Sequence, residues 1–109
     1  MTKEKIIETI EEKQNAGVWI TSISGNTNPD SDLGYSWEYS ISDYDDEDGD
    51  TVFCINFYHC GNGRGCFGVT ETDEYYFEDE ADAEMRRIAS EPGHGTRIKF
   101  SDGSEVISN

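Results

Sequence analysis

The chain switches between two spacings of apolar residues, and the switches mark out its elements. Ile6, Ile7 and Ile10 recur at helical spacing, Thr2 stands at an N-cap position and Gly17 at a C-cap position, which predicts a helix of about 14 residues. Val18 to Ser24 (VWITSIS) is rich in β-branched and aromatic residues and predicts a strand. The turn formers of GNTNPDSDLG, Gly25 to Gly34, follow as a long loop. Tyr35, Trp37, Tyr39 and Ile41 then alternate with Ser36, Glu38, Ser40 and Ser42, the mark of a strand with one face on a core and the other in water.

An acidic turn, YDDEDGD, leads into a second strong strand, Thr51 to His59 (TVFCINFYH). The glycine-rich CGNGRGC closes a hairpin into Phe67 to Phe77, whose polar middle, TETDE, suits an edge strand. From Asp79 to Ser90 helical spacing returns through Ala81, Met85 and Ile88. Acids stand in its first turns and Arg86 and Arg87 near its end, as the helix dipole favours, and Pro92 and Gly93 stop it. The tail TRIKFSDGSEVIS reads as two short strands around a two-residue turn at Asp102 and Gly103. The predicted class is α+β: an antiparallel sheet of about four to six strands, the first four forming a meander, with an N-terminal helix and a second helix near residues 79–90. The length of 109 residues is that of a single domain.

Composition adds tension to this picture. Leu, Ile, Val and Phe make up only 20 of 109 residues, close to the composition of disordered charged chains, and six Tyr and two Trp bring the apolar set back to what a small core needs. Twenty-four acids stand against eight Lys and Arg, a net charge of -16. A surface so charged repels itself, so added salt should stabilise it. Binding to nucleic acid or to an anionic membrane through a basic face is excluded. There is no long apolar run of membrane-spanning length, and the N-terminal MTKEKIIETIEEK lacks the hydrophobic core of a signal peptide, so a soluble cytoplasmic chain is expected.

The charge is also segregated. Residues 14 to 85 contain 17 acids and a single base, Arg64, whereas the two ends are nearly balanced. One cluster is Asp43, Asp45, Asp46, Glu47, Asp48 and Asp50; the other is Glu71, Asp73, Glu74, Glu78, Asp79, Glu80, Asp82 and Glu84. Interspersed Lys would relieve the repulsion, so its absence asks for a reason. Carboxylates at i and i+2 of a strand lie roughly 6.6 Å apart, comparable with the phosphate spacing along one nucleic-acid strand, so Asp43, Asp45 and Glu47, or Glu71 and Asp73, can stand in for phosphates. Tyr44, Tyr58, Tyr75 and Tyr76 beside the acidic runs would anchor an interface. Arg64 can cap its hairpin, pair with nearby acids or make a specificity contact.

In size, acidity and helix-plus-antiparallel-sheet layout the chain resembles the small phage-encoded inhibitors that include anti-CRISPR proteins and DNA-mimic antirestriction proteins. The resemblance spans the charge layout of the whole chain, rests on no motif and transfers no residue role. It implies a non-enzymatic inhibitor without a cofactor, working in the cytoplasm of a host bacterium. Its partner would be a basic nucleic-acid-binding protein, such as a CRISPR effector or another nuclease, attracted by charge complementarity. The expected contact residues are both acidic clusters with Arg64, Tyr44, Tyr75 and Tyr76. Immunity proteins that neutralise cationic nuclease toxins look similar by the same measures. A halophilic surface is a further alternative, although such adaptation should spread the acids evenly and would not favour Lys3, Lys5 and Lys13 in one helix.

Spacing argues against other chemistry. An EF-hand register that sets Gly49 at the sixth position puts Tyr44 at the first and Ile55 at the twelfth, where carboxylates are required. Cys54, Cys60 and Cys66 with His59 would be the working group of a small metal- or thiol-dependent enzyme, but C-x5-C-x5-C is not zinc spacing, and adjacent His59 and Cys60 project to opposite faces of a strand. Acidic surroundings also disfavour a thiolate. Cys60 and Cys66 flank a five-residue turn and suit a disulfide under oxidation or two thiols in a reducing cytoplasm. Cys54 reads as a small core residue, His94 in PGHGT as a turn residue, and Gly61, Gly63 and Gly65 as a hairpin turn or an anion nest without a P-loop lysine.

Overall fold

The computed structural model describes residues 1–26, 36–60, 66–93 and 95–109, with the backbone alone at 26, 36, 59, 60 and 66–70. The elements run α1 (Lys3–Asn15), β1 (Ile20–Asn26), β2 (Ser36–Asp45), β3 (Thr51–Cys60), β4 (Cys66–Tyr75), α2 (Glu78–Ala89), β5 (Arg97–Phe100) and β6 (Glu105–Ile107). The fold is α+β. Its one six-stranded sheet has the order β4-β3-β2-β1-β5-β6, antiparallel at every pairing. The predicted meander from β1 to β4 is present; α2 then carries the chain back across the sheet so that β5 adds beside β1.

Helix α1 starts where the Thr2 hydroxyl accepts the Lys5 amide at 3.2 Å, and it ends before Gly17, which takes a left-handed φ of 76°. It presents Ile6 and Ile10 to the sheet, and α2 presents Met85 and Ala89. These meet Ile20, Ile23, Ile55, Ile98 and Phe100 in a single buried cluster, so both helices cover the same face. The register explains how the strand residues converge: Ile20 pairs with Phe100, Ile23 with Ile98 and Tyr39, and Ile41 with Ile55. Directly paired residues share a face.

Ile20 and Ile23 are three apart, and strict alternation would send them to opposite faces. A register shift between Ile20 and Ser22 against β5 inserts the extra residue that turns both inward. The strand expected from Val18 therefore begins only at Ile20, and Val18 and Trp19 form the link from α1. Gly25, expected in a loop, lies in β1 because the Trp37 indole crosses it: a Cβ there would sit 2.6 Å from Trp37 Cζ2. Trp37 and Tyr39 stand edge to face at 5.9 Å, and Tyr39 and Phe57 follow at 4.8 Å, extending the core toward β4. Tyr35 and most of the predicted loop lie outside the described residues.

The other face of the sheet is polar. Ser22, Ser40, Asn56 and Thr72 form one rung across four strands; Asn56 Nδ2 donates to Ser42 Oγ at 2.8 Å, and Thr72 Oγ1 donates to Asn56 Oδ1 at 3.0 Å. At the far end, β5 and β6 are joined by four residues, 101–104, rather than two. Gly103 takes φ 89°, and Asp102 Oδ1 accepts the Ser104 amide at 2.9 Å. Lys13 reaches over the Phe100 ring, 5.5 Å from its centre, to Asp102 Oδ2 at 2.6 Å, which ties α1 to this turn. Among the described residues no helix is long and apolar enough to cross a membrane.

Candidate functional site

The acidic clusters are held by two junctions at the same end of the sheet. Strand β2 ends there, β3 begins there, and β4 ends there before the chain turns into α2. In the turn between β2 and β3, Asp46 Oδ1 accepts the amides of Asp48 and Asp50, both at 2.9 Å, and Gly49 takes a left-handed φ of 82°. Asp46 is thus a turn former. Asp45 accepts the Thr51 hydroxyl at 3.0 Å. Glu47, Asp48 and Asp50 are exposed at the tip.

Register sorts the second cluster. Glu71 pairs with Phe57, Asp73 with Ile55 and Tyr75 with Phe53, which places all three on the helix-covered face of the edge strand. There Glu71 and Asp73 line a shallow cleft of about 170 Å³ with Glu84 and Arg87. Glu74 pairs with Cys54 on the opposite face and accepts the Tyr44 hydroxyl at 3.3 Å. That contact links β2 to β4 across β3, over Val52 and Cys54, which explains why these two are buried on the face the helices leave open. Cys54 is buried as expected, but it lies outside the main core. Tyr75 is half-buried and packs against that core, and Tyr76 is exposed.

Beside the junction of β4 and α2 lies a groove of about 790 Å³, lined by the C-terminal end of α1, the N-terminal end of α2 and the sheet below them. Ile41 and Phe53 line its sheet side. Val18 and Trp19 border it from one helix, Tyr76 and Phe77 from the other, and Asp43, Glu78, Asp79 and Asp82 contribute its charge. The two clusters thus meet in part: Asp43 of the first joins three acids of the second, whereas Glu71, Asp73 and Glu74 lie elsewhere. Neither Trp19 nor Phe77 stood out in the sequence, because both fall in runs that read as strand. In the structure both sit just outside strands and remain exposed, 46% and 64% respectively.

Among the described residues the bases do little to neutralise this end. The ion pairs among the described residues are Lys3–Glu91, Lys5–Glu8, Lys13–Asp102, Arg86–Asp82, Arg87–Glu84 and Arg97–Glu105. Only Asp82 and Glu84 of the two clusters take part. The Arg87 hydrogen bond holds the Glu84 carboxyl below its ordinary range. Burial, then the charge of Glu74, pushes the Tyr44 phenol up; burial, then Glu84 and Asp73, does the same for Tyr75. The Cys54 thiol is raised by burial and by Glu74 and Asp43, the opposite of what a nucleophilic thiol requires.

Arg64, His94 and the glycine turn 61–65 lie outside the described residues, as do the side chains of His59, Cys60 and Cys66. The backbone register does set Cys60 opposite Cys66 across the hairpin. Among the described residues no three metal-ligating side chains gather. No protein-family model, curated protein or solved structure matches the chain.

Proposed function

We propose that this chain is a non-enzymatic inhibitor that uses its acidic end to occupy the nucleic-acid-binding surface of a basic protein. An anti-CRISPR or similar phage anti-defence role in the cytoplasm of a host bacterium fits this reading, with a CRISPR effector or another nuclease as the partner. The observation that carries it is the distribution of counter-charge. The acids of the β2–β3 turn and of the start of α2 project without basic partners among the described residues, apart from Asp82, while most of the ion pairs gather elsewhere on the fold. Leaving charges uncompensated costs stability and gains encounter rate with a cationic surface. A partner that binds phosphates is attracted by the same field that attracts it to DNA or RNA.

The test is affinity capture from bacterial lysate at about 50 and about 500 mM salt, a range over which screening weakens exposed charge pairs strongly, followed by identification of what is held. Capture of a nucleic-acid-binding protein that is released at high salt and displaced by added DNA or RNA, and whose activity the chain then inhibits, supports the reading. Binding that is indifferent to salt and to nucleic acid refutes it.

A further inference from the structure

We propose that the groove between Trp19 and Phe77 seats an arginine-bearing segment of the partner protein, and that it is the anchoring pocket of the acidic end. The identity of the partner rests on the function proposed above; the chemistry of the groove does not.

Two properties coincide there. The first is apolar: Trp19, Tyr76 and Phe77 are 46%, 65% and 64% exposed, an unusual outlay of large rings in a chain whose core is small. They border the groove beside the apolar side chains of Val18, Ile41 and Phe53. The second is charge. Four carboxylates, those of Asp43, Glu78, Asp79 and Asp82, stand on the lining, and among the described residues no Lys or Arg lines it. Of these four only Asp82 has an ion-pair partner among the described residues, Arg86. One negative charge near the first turn of α2 would offset its dipole, yet that turn holds Glu78, Asp79 and Glu80.

A purely apolar occupant would leave these carboxylates desolvated and unpaired, which is costly. A simple cation would use the carboxylates and leave the rings in water. Arginine uses both: its planar guanidinium stacks on aromatic faces while its edge donates paired hydrogen bonds to a carboxylate, and its aliphatic stem lies on apolar surface. A volume of about 790 Å³ exceeds what one side chain fills, so the occupant is a short segment and not an isolated residue. Basic nucleic-acid-binding surfaces supply such segments, since arginine is their common phosphate ligand.

The test uses the full chain and a defined probe, the capped pentapeptide acetyl-Gly-Arg-Leu-Arg-Gly-amide, with a matched peptide in which citrulline replaces both arginines, and with spermine as a non-peptide cation. Binding is followed by NMR at the indole N–H of Trp19, with the half-buried Trp37 indole as an internal control. The expected result is a saturable shift at Trp19 and not at Trp37, at least tenfold weaker with the citrulline peptide. Binding should also be lost, at the same Trp19 indole, in a Phe77→Ala variant that keeps its dispersed spectrum. Shifts confined to the β2–β3 turn, equal binding by the citrulline peptide, or spermine matching the peptide at Trp19 would each overturn the proposal. Its failure is separable from that of the function above: if a Trp19→Ala, Phe77→Ala variant still captures and inhibits a nucleic-acid-binding protein as the parent does, the groove is not the anchor although the mimicry stands. If the peptide binds as expected but no captured protein is displaced by nucleic acid, the groove stands and the mimicry falls.

Discussion

If the acidic turn is held against its own repulsion, removing charge from it should stabilise the protein. The informative variant is Glu47→Gln, Asp48→Asn, Asp50→Asn, which leaves Asp46 intact because its carboxylate accepts the Asp48 and Asp50 amides that shape the turn. Neighbouring carboxylates on extended chain lie about 7 Å apart, and two unit charges at that separation in water repel by about 0.6 kcal/mol before screening. At physiological ionic strength, with a Debye length of about 8 Å, about 0.25 kcal/mol remains per pair. Neutralising three of the six acids between Asp43 and Asp50 removes about a dozen pairs, nearer and farther together, so about 3 kcal/mol is the upper figure for the repulsion relieved. The unfolded chain retains roughly half of that repulsion, because these residues are also neighbours in sequence. The expected net gain is about 1 kcal/mol, or about 5 °C in Tm for a domain of this size. Thermal unfolding followed by circular dichroism, at about 10 mM and about 1 M NaCl, supplies the check, since the Debye length falls from about 30 to about 3 Å between them. The parent should gain more from salt than the variant, and the two curves should converge at high salt. A variant no more stable than the parent at low salt, or one with an unchanged response to salt, would refute the reasoning.

Three further outcomes follow from particular contacts. Met85, fully buried where α2 meets the core, should cost about 2 to 5 kcal/mol on replacement by Ala, read as a lower urea midpoint; a loss below about 1 kcal/mol would mean that α2 is not anchored there. Gly25→Ala drives a Cβ to 2.6 Å from the Trp37 ring and should cost about 1 to 3 kcal/mol; the penalty should largely vanish in a Trp37→Ala background, and persistence there would place the strain elsewhere. Asp102 is held well below the usual carboxylate range, first by the Lys13 hydrogen bond and then by the Ser104 side chain and amide. Its folded value lies below its unfolded value, so its stabilisation is present above about pH 4 and is lost as the pH falls. Asp102→Asn should lower Tm at pH 7 and flatten the acid limb of the Tm profile, and an acid limb identical to the parent's would contradict this assignment.

The local elements were readable from sequence wherever a single period governs them. The spacing of Ile6 and Ile10 with the flanking Thr2 and Gly17 marked α1, and the alternation of Trp37, Tyr39 and Ile41 marked β2. The period misleads where tertiary pairing overrides it. The bulge that turns both Ile20 and Ile23 inward depends on β5, some 75 residues away in sequence, and no local pattern in VWITSIS announces it. The acids of the site were visible as clusters, but their grouping was not. Which of them meet depends on the sheet order, which sets Asp43 beside the start of α2 and sends Glu74 to the other face. Trp19 and Phe77 carry no signal in the sequence because an aromatic residue at the end of an apolar run reads as strand interior, and only the three-dimensional end of that strand leaves it exposed.

Edge protection explains part of the charge and not the rest. Strand β4 is an outer strand, and Glu71, Asp73 and Glu74 along it discourage pairing with a second sheet, a service that lysine performs equally well. The turn at residues 46–50 and the first turn of α2 are not sheet edges, and no lysine interrupts them, so protection accounts neither for their charge nor for its uniform sign. On the proposed reading the two kinds of surface at this end divide the work of binding. The exposed acids act at a distance and raise the rate of encounter, a contribution that salt screens. The aromatic groove, with the carboxylates on its lining, acts only at contact and sets how long the complex lasts. Neutralising Glu47, Asp48 and Asp50 should therefore slow association with little change in dissociation, whereas replacing Trp19 and Phe77 by Ala should speed dissociation with little change in association.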